Sequence, residues 1–202
     1  MIQSYKSDSY KMEISNYFKK TFDFIYKRLI ELIAILLGIV AIFLIISLIS
    51  YSTEDPNFIF PDNTKMENLL GYRGSYLSDI LLQSVGLISF LIPVTFFFTC
   101  LEIFFKKKLI QIVNNIFYIV IYCITGSLFF SFYSRTSFWL PINGKGGFVG
   151  NFLSDNYLFN LININQDVTF YTLIILTFTF FLLSINFKLS FFSFVFNFIK
   201  KF

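Results

Sequence analysis

Four apolar runs, separated by polar segments, dominate the pattern of residues along this chain. They cover residues of about 29–50, 77–101, 112–132 and 168–185. Each can cross a bilayer as a helix, since about 20 mostly apolar residues are enough. The pattern therefore predicts an all-α membrane protein with four transmembrane helices, in which residues 29–185 form the membrane domain.

The polar segments between these runs differ in length and character. Residues 1–28 form an N-terminal segment predicted to lie on the cytoplasmic surface, and 186–202 form a cytoplasmic or interfacial tail. One long loop follows helix one and another covers about 134–167. Within the second loop, 148–164 is too polar to span and predicts an interfacial or half-inserted helix.

The positive charges are unequally divided between the two sides of the predicted membrane. Six Lys and Arg lie in the N-terminal segment, three in the turn after helix two and three in the tail, against four in the two long loops. By the positive-inside rule both termini are cytoplasmic and the long loops are outer, or periplasmic.

Composition narrows the function classes further. The chain is 56% hydrophobic and 14% charged, unlike a soluble domain, and it contains no histidine. Cys100 and Cys123 lie inside apolar runs without CxxC spacing, which predicts two small buried side chains. We therefore predict no catalytic residue, no metal ligand and no cofactor.

Individual residues of the helices suggest local roles. Asp79 falls in the first turn of the predicted helix two. Its carboxylate would interact favourably with the helix dipole there, or else bind a partner or an ion. Pro93 predicts a kink. Glu31 and Glu102 fall near predicted cytoplasmic ends of helices, close to Arg28 and Lys106, and are predicted to extend to the membrane surface or to form ion pairs.

Small residues in helix two suggest close packing, within the bundle or, less favoured, between subunits. They are Ser75, Ser78, Gly86, Ser89 and Pro93.

Three motifs occur in a fixed order along the chain. The first, SYSTEDPNF at 50–58, contains Asp55 and Pro56; the second, at 70–105, opens with Gly71 and Gly74; the third is GGFVGNFLS at 146–154. The second also contains Asp79, Gly86 and Pro93, and the third contains Gly146, Gly147 and Gly150.

With these motifs the chain resembles the N-terminal four-helix membrane domain of the FtsK/SpoIIIE family of bacterial DNA translocases. The resemblance implies an inner-membrane anchor at the division septum, acting in cell division and chromosome segregation. It implies contacts with membrane lipid, with division-site membrane proteins and with further copies of the chain in a homo-oligomer. DNA would be handled only by a separate motor domain.

That motor is an ATPase and needs a P-loop, G-x-x-x-x-G-K-[ST], which these 202 residues do not contain. Gly144 and Lys145 are followed by Gly146 and predict a turn. We therefore expect an anchor without enzymatic activity. The alternative is a small transporter or channel subunit. The lack of charged residues at the predicted helix centres counts against it, because ion-coupled carriers usually need such a group. An enzyme of the bilayer ranks last.

Overall fold

The computed structural model describes residues 2–56, 65–133, 139–140, 142–158 and 165–186, with side chains from Asn16 onward. All regular structure in these ranges is helical. The helices are α1 (Ile2–Ile49), α2 (Gly71–Val85), α3 (Leu91–Lys106), α4 (Ile110–Tyr133), α5 (Gly147–Leu153) and α6 (Gln166–Ser184). A 3-10 segment, Gly86–Phe90, joins α2 to α3, and a π-helical turn, Ser154–Leu158, follows α5.

Four stretches of the described chain are long and apolar enough to cross a membrane. They are Asn16–Ile49, Gly71–Lys106, Ile110–Tyr133 and Gln166–Ser184. The predicted all-α fold with four long apolar helices is thus confirmed. The tail predicted at 186–202 lies, apart from Asn186, outside the described residues.

The first helix is longer than the sequence predicts. Instead of a separate segment over 1–28, α1 runs without interruption from Ile2 to Ile49. The chain contains no Gly or Pro before Gly38, so nothing in the first turns terminates the helix. The N-terminal half of α1 therefore continues the axis of its membrane-spanning half.

The second spanning stretch differs from its prediction in two ways. It begins at Gly71 rather than near Leu77, because its first two turns are too polar to be recognised by hydropathy. Its helical geometry also changes from α to 3-10 over Gly86–Phe90, just before Pro93, where the sequence predicts a kink. Pro93 lies in the first turn of α3, where its missing N–H costs no helical hydrogen bond.

The helices pack in a row whose middle is formed by α2, α3 and α4. α1 packs along α2 and α3, and α6 packs along α4. We call the end where α1 stops and α2 starts the loop end, and the end where α3 turns into α4 through residues 107–109 the turn end. Leu48, Tyr51, Leu82 and Leu140 form the apolar cluster of the loop end.

The small residues of helix two are buried inside this single chain. Ser75, Ser78, Gly86, Ser89 and Pro93 all lie against neighbouring helices or loops. Packing within the bundle, which the sequence favours, is therefore their role, and they are not available to a second subunit.

Candidate functional site

The first motif closes the loop between α1 and α2. Asp55 is only 4% exposed, and its two carboxylate oxygens accept from the backbone N–H groups of Glu67 (2.6 Å) and Asn68 (2.9 Å). Hydrogen bonds to a charged acceptor are about twice as strong as neutral ones. Asp55 thus ties the far end of the loop to its near end.

Asn68 then fixes the closed loop to the end of α1. Its side-chain amide donates to the carbonyl oxygens of Ser47 (3.0 Å) and Ser50 (3.2 Å), and its Oδ1 accepts from the Leu70 N–H (3.1 Å). The last carbonyls of a helix have no partner within the helix, and here a distant amide supplies one.

The glycine-containing start of α2 packs directly on this loop. Ser47 Oγ donates to the Gly74 carbonyl at 2.5 Å, and Ser75 Oγ donates to the Pro56 carbonyl at 3.0 Å. A Cβ at Gly74 would lie 2.2 Å from Oδ1 of Asn68. The first and second motifs are therefore in contact, and glycine is needed for that contact.

Asp79 lies well inside α2 and is 2% exposed, so its predicted place in the first turn is wrong. Its Oδ1 accepts from the Tyr51 hydroxyl at 3.2 Å and from the Gln83 amide at 3.5 Å. Burial, and secondarily the negative charge of Asp79, raises the pKa of Tyr51 to about 12. The hydroxyl is therefore a permanent donor at neutral pH.

The third motif meets the second at the break after α2. Gly86 has a φ of 72°, and a Cβ there would lie 1.9 Å from the Lys145 carbonyl oxygen. That oxygen accepts from the Leu87 N–H at 2.9 Å. Gly147, with a φ of 66°, lies so close that its Cβ would be 2.5 Å from Gly86 N. Two backbones thus touch through paired glycines.

Side chains from α4 and the second loop cap the broken end of α2. The Asn143 amide donates to the carbonyl oxygen of Gln83 at 3.3 Å and to its Oε1 at 3.1 Å. Ser127 Oγ donates to the Val85 carbonyl at 2.7 Å. Two carbonyls near the break are thus satisfied inside the protein, which matters because an unpaired carbonyl in a low-dielectric surrounding is costly.

α5 is held on α4 by the remaining glycines of the third motif. Added Cβ atoms at Gly146 and Gly150 would lie 2.7 and 2.3 Å from the Ser127 carbonyl oxygen. Asn151 joins the two elements, since its amide donates to Asn143 O (2.8 Å) and its Oδ1 accepts from Ser131 Oγ (2.8 Å). Of the interfacial helix predicted over 148–164, the described residues 148–158 are helical, as α5 and the π-helical turn that follows it, and 159–164 lie outside the described residues.

Eight of the ten motif residues thus meet in one assembly, which we call the loop-end junction. They are Asp55, Pro56, Gly74, Asp79, Gly86, Gly146, Gly147 and Gly150. Gly71 only opens α2, with a φ of 63° and no atom within 4 Å of an added Cβ, and Pro93 lies in α3 away from the junction.

Sequence reasoning missed the amides that connect these motifs. Asn68, Gln83, Asn143 and Asn151 each bridge two segments of the junction. Gln83 is one helical turn after Asp79, a spacing that could have indicated it. The loop asparagines give no such signal, because solvent-facing asparagines look the same in the sequence.

The turn end is held by ion pairs. Glu31 contacts Arg28 at 2.6 Å and Lys107 at 2.7 Å, which links α1 to the turn after α3. Glu102 pairs with Lys106 and accepts from the Asn186 amide. Of the two alternatives that the sequence left open for Glu31 and Glu102, the structure shows ion pairing.

The chemistry of the junction is that of a structural joint. Its donors and acceptors are turned toward each other, and its glycines allow backbone contact. In the described ranges no group of three or more Asp, Glu, Cys or His side chains could hold a metal, and both cysteines are free thiols.

Four membrane-capable helices, one broken and locked by a loop from the other half of the chain, define a multi-pass membrane domain. The model of the 4TM region of DNA translocase FtsK/SpoIIIE matches residues 26–198, so the chain belongs to that family. This confirms the resemblance based on the three motifs.

Curated relatives agree with this assignment. The DNA translocase FtsK of Rickettsia bellii is 39% identical over 82 residues, 39% of this chain and 11% of the relative. That of Rickettsia prowazekii is 42% identical over 64 residues, 32% of this chain and 9% of the relative. The chain therefore spans about a tenth of the length of these relatives. No solved structure matches it.

Proposed function

We propose that this chain is the membrane anchor of an FtsK-type system. The anchor assembles at the division septum of the inner membrane and acts in cell division and chromosome segregation. Membership of the FtsK/SpoIIIE family and the name of the curated relatives support this proposal. The anchor acts by binding membrane lipid and division-site membrane proteins. Contact with DNA belongs to a motor domain, and the anchor itself catalyses no reaction.

The orientation that suits this function places the turn end in the cytoplasm and the loop end in the periplasm. Lys106, Lys107 and Lys108 lie at the turn end together with Arg28, which favours a cytoplasmic location under the positive-inside rule.

The observation that carries the proposal is the loop-end junction. It fixes α5 on the bundle, and α5 presents two stacked rings, Phe148 and Phe152, with centroids 5.8 Å apart. Phe148 is 59% exposed and Phe152 is 46% exposed. Aromatic rings held on a rigid support are typical anchors of protein interfaces. We infer that this pair contacts a division-site protein.

No specific feature of the described residues supports the transport alternative. The cavity of about 210 Å³ between α3, α4 and α6 is lined mainly by apolar side chains. The polar groups of the junction bind one another instead of lining a path.

A fluorescent fusion at the C-terminus, made at native level in dividing cells of the host, tests the proposal. We expect a band at mid-cell that forms before constriction. An even signal around the envelope would contradict the septal role. Membrane fractionation must show equal amounts of inserted protein in each strain.

A matched pair of variants tests the contribution of α5. Phe148→Ala removes an exposed ring at the loop end, and Phe117→Ala removes an equally exposed ring from α4 (62% against 59%). We expect the mid-cell band to weaken several-fold in the first variant and to persist in the second. Equal bands in both would show that the Phe148 ring makes no such contact.

A further inference from the structure

The N-terminal half of α1 carries a row of apolar side chains that the described structure leaves uncovered. Phe18, Phe22, Ile25 and Leu29 are 76%, 68%, 50% and 54% exposed. Their separations alternate between four and three residues, which places all four on one face of the helix. We call this row the α1 seam.

The seam continues in the same register into the membrane-spanning half of α1. Leu32, Leu36 and Ile39 extend the alternation and are 56%, 53% and 58% exposed. A different face, which includes Ile30 and Ala34, is buried against α3. The spacing is that of the a and d positions of a coiled coil.

The pattern is informative only where polar residues interrupt it. Residues 29–49 are apolar almost all round, so any spacing could be found there. Residues 16–28 instead place Lys20 and Lys27 on the side opposite Phe22 and Ile25, and both lysines are exposed. An amphipathic helix of this kind has one face suited to a partner and one suited to water.

Depth decides what can cover the seam. Glu31 pairs with Arg28 and Lys107 at the turn end, and because charged groups are costly inside the hydrocarbon layer, we place this cluster at the polar surface of the membrane. At 1.5 Å per residue, Phe18 lies ~20 Å beyond Glu31 along α1 and Phe22 ~13 Å beyond it. The headgroup layer is only about 5–8 Å thick on each side. Both rings therefore stand in water, out of reach of lipid.

We propose that the α1 seam packs against the same seam of a second copy of this chain, as a parallel coiled coil that continues into the membrane. Insertion gives every copy the same direction and depth, so identical seam residues meet at the same height. An in-register parallel pair is the arrangement that this spacing favours.

The flanking charges permit this register. In a parallel pair, a residue just before the a position faces the residue five positions later in the partner. Arg28 then faces Ile33 of the partner subunit, and Thr21 faces Tyr26 of the partner subunit, so no like charges oppose each other. The proposal concerns self-association alone and does not depend on where in the cell the protein lies.

Cysteine cross-linking of the full chain in isolated membranes tests the seam. The native thiols are first replaced by Cys100→Ser and Cys123→Ala. Single variants Phe22→Cys and Ile25→Cys probe the seam, and Lys20→Cys and Lys27→Cys probe the opposite face. After oxidation with copper phenanthroline, we expect several-fold more disulfide dimer on non-reducing gels from the seam variants.

Three results would overturn the proposal. They are equal or stronger cross-linking from the lysine positions, seam variants that stay monomeric although inserted, and a photoreactive side chain at Phe18 that couples to lipid or to another protein. A charge test gives a second measurement. In the chain without introduced cysteines, Phe22→Asp should abolish dimers measured by native mass spectrometry. Lys20→Asp in the same chain should leave them unchanged.

Discussion

The two ends of the bundle are held together by different means. At the loop end, buried carbonyls, amides and glycines from α1, α2, α4 and two loops contact one another directly. At the turn end, charged side chains pair near the surface. Apolar burial gives little preference among helix arrangements in lipid, so close backbone contact and matched polar groups must supply it. We infer that the loop end contributes more than the turn end to specifying the fold.

The sharpest test of this contrast is Gly86→Ala. The new Cβ would clash with the Lys145 carbonyl, and an alanine at this position would have to keep an unfavourable positive φ. We therefore expect the unfolding free energy to fall by about 4 kcal/mol. Gly71→Ala is the matched control, with a similar φ but open space, and should cost about 1 kcal/mol. Denaturant titration in mild detergent measures both, and equal losses would mean that the backbone contact contributes nothing.

Asp55→Asn tests the closure of the first loop. One carboxylate oxygen becomes an NH₂ group facing a backbone N–H, so we expect a loss of about 3 kcal/mol. Glu67→Gln removes a neighbouring exposed charge and leaves both bonds intact. The same titration should show a much larger loss of unfolding free energy for Asp55→Asn than for Glu67→Gln. Equal losses would contradict the proposed role of the buried hydrogen bonds at the loop end.

Tyr51→Phe should cost about 1 kcal/mol, since it removes one hydrogen bond to Asp79 and keeps the ring against Trp139. The raised pKa of Tyr51 adds a pH dependence. Its stabilising effect is complete below pH 10 and is lost as the pH rises toward about 12. The unfolding free energy, measured from pH 10 to about 12, should fall more steeply in the wild type than in Tyr51→Phe.

The smallest effect is expected at the turn end. Glu31→Gln removes both ion pairs of that carboxylate, yet the Arg28 side chain is largely exposed and the pairs are screened. The melting temperature should shift less than in Tyr51→Phe, and high salt should erase the difference. A shift as large as that of Asp55→Asn would show that both ends specify the fold.

The sequence predicted the spanning helices well because hydropathy alone determines them. It did not predict the 3-10 segment at Gly86–Phe90, because the conformation of Gly86 depends on a distant loop. It misplaced Asp79 because hydropathy ignores the polar first turns of α2. The motifs were recognisable, but their meeting depends on Asn68 and Asn143, whose partners only the folded chain reveals.

The lock between Gly86 and Gly147 has a consequence for biogenesis. The ribosome delivers α2 and α3 well before the segment that caps their break, so the first hairpin enters the membrane with its helix end unsatisfied. Only after α4 has been threaded can Lys145 and Asn143 reach it. Assembly of this domain is therefore completed late, and a chain stalled before Asn143 has a second span whose break has no cap.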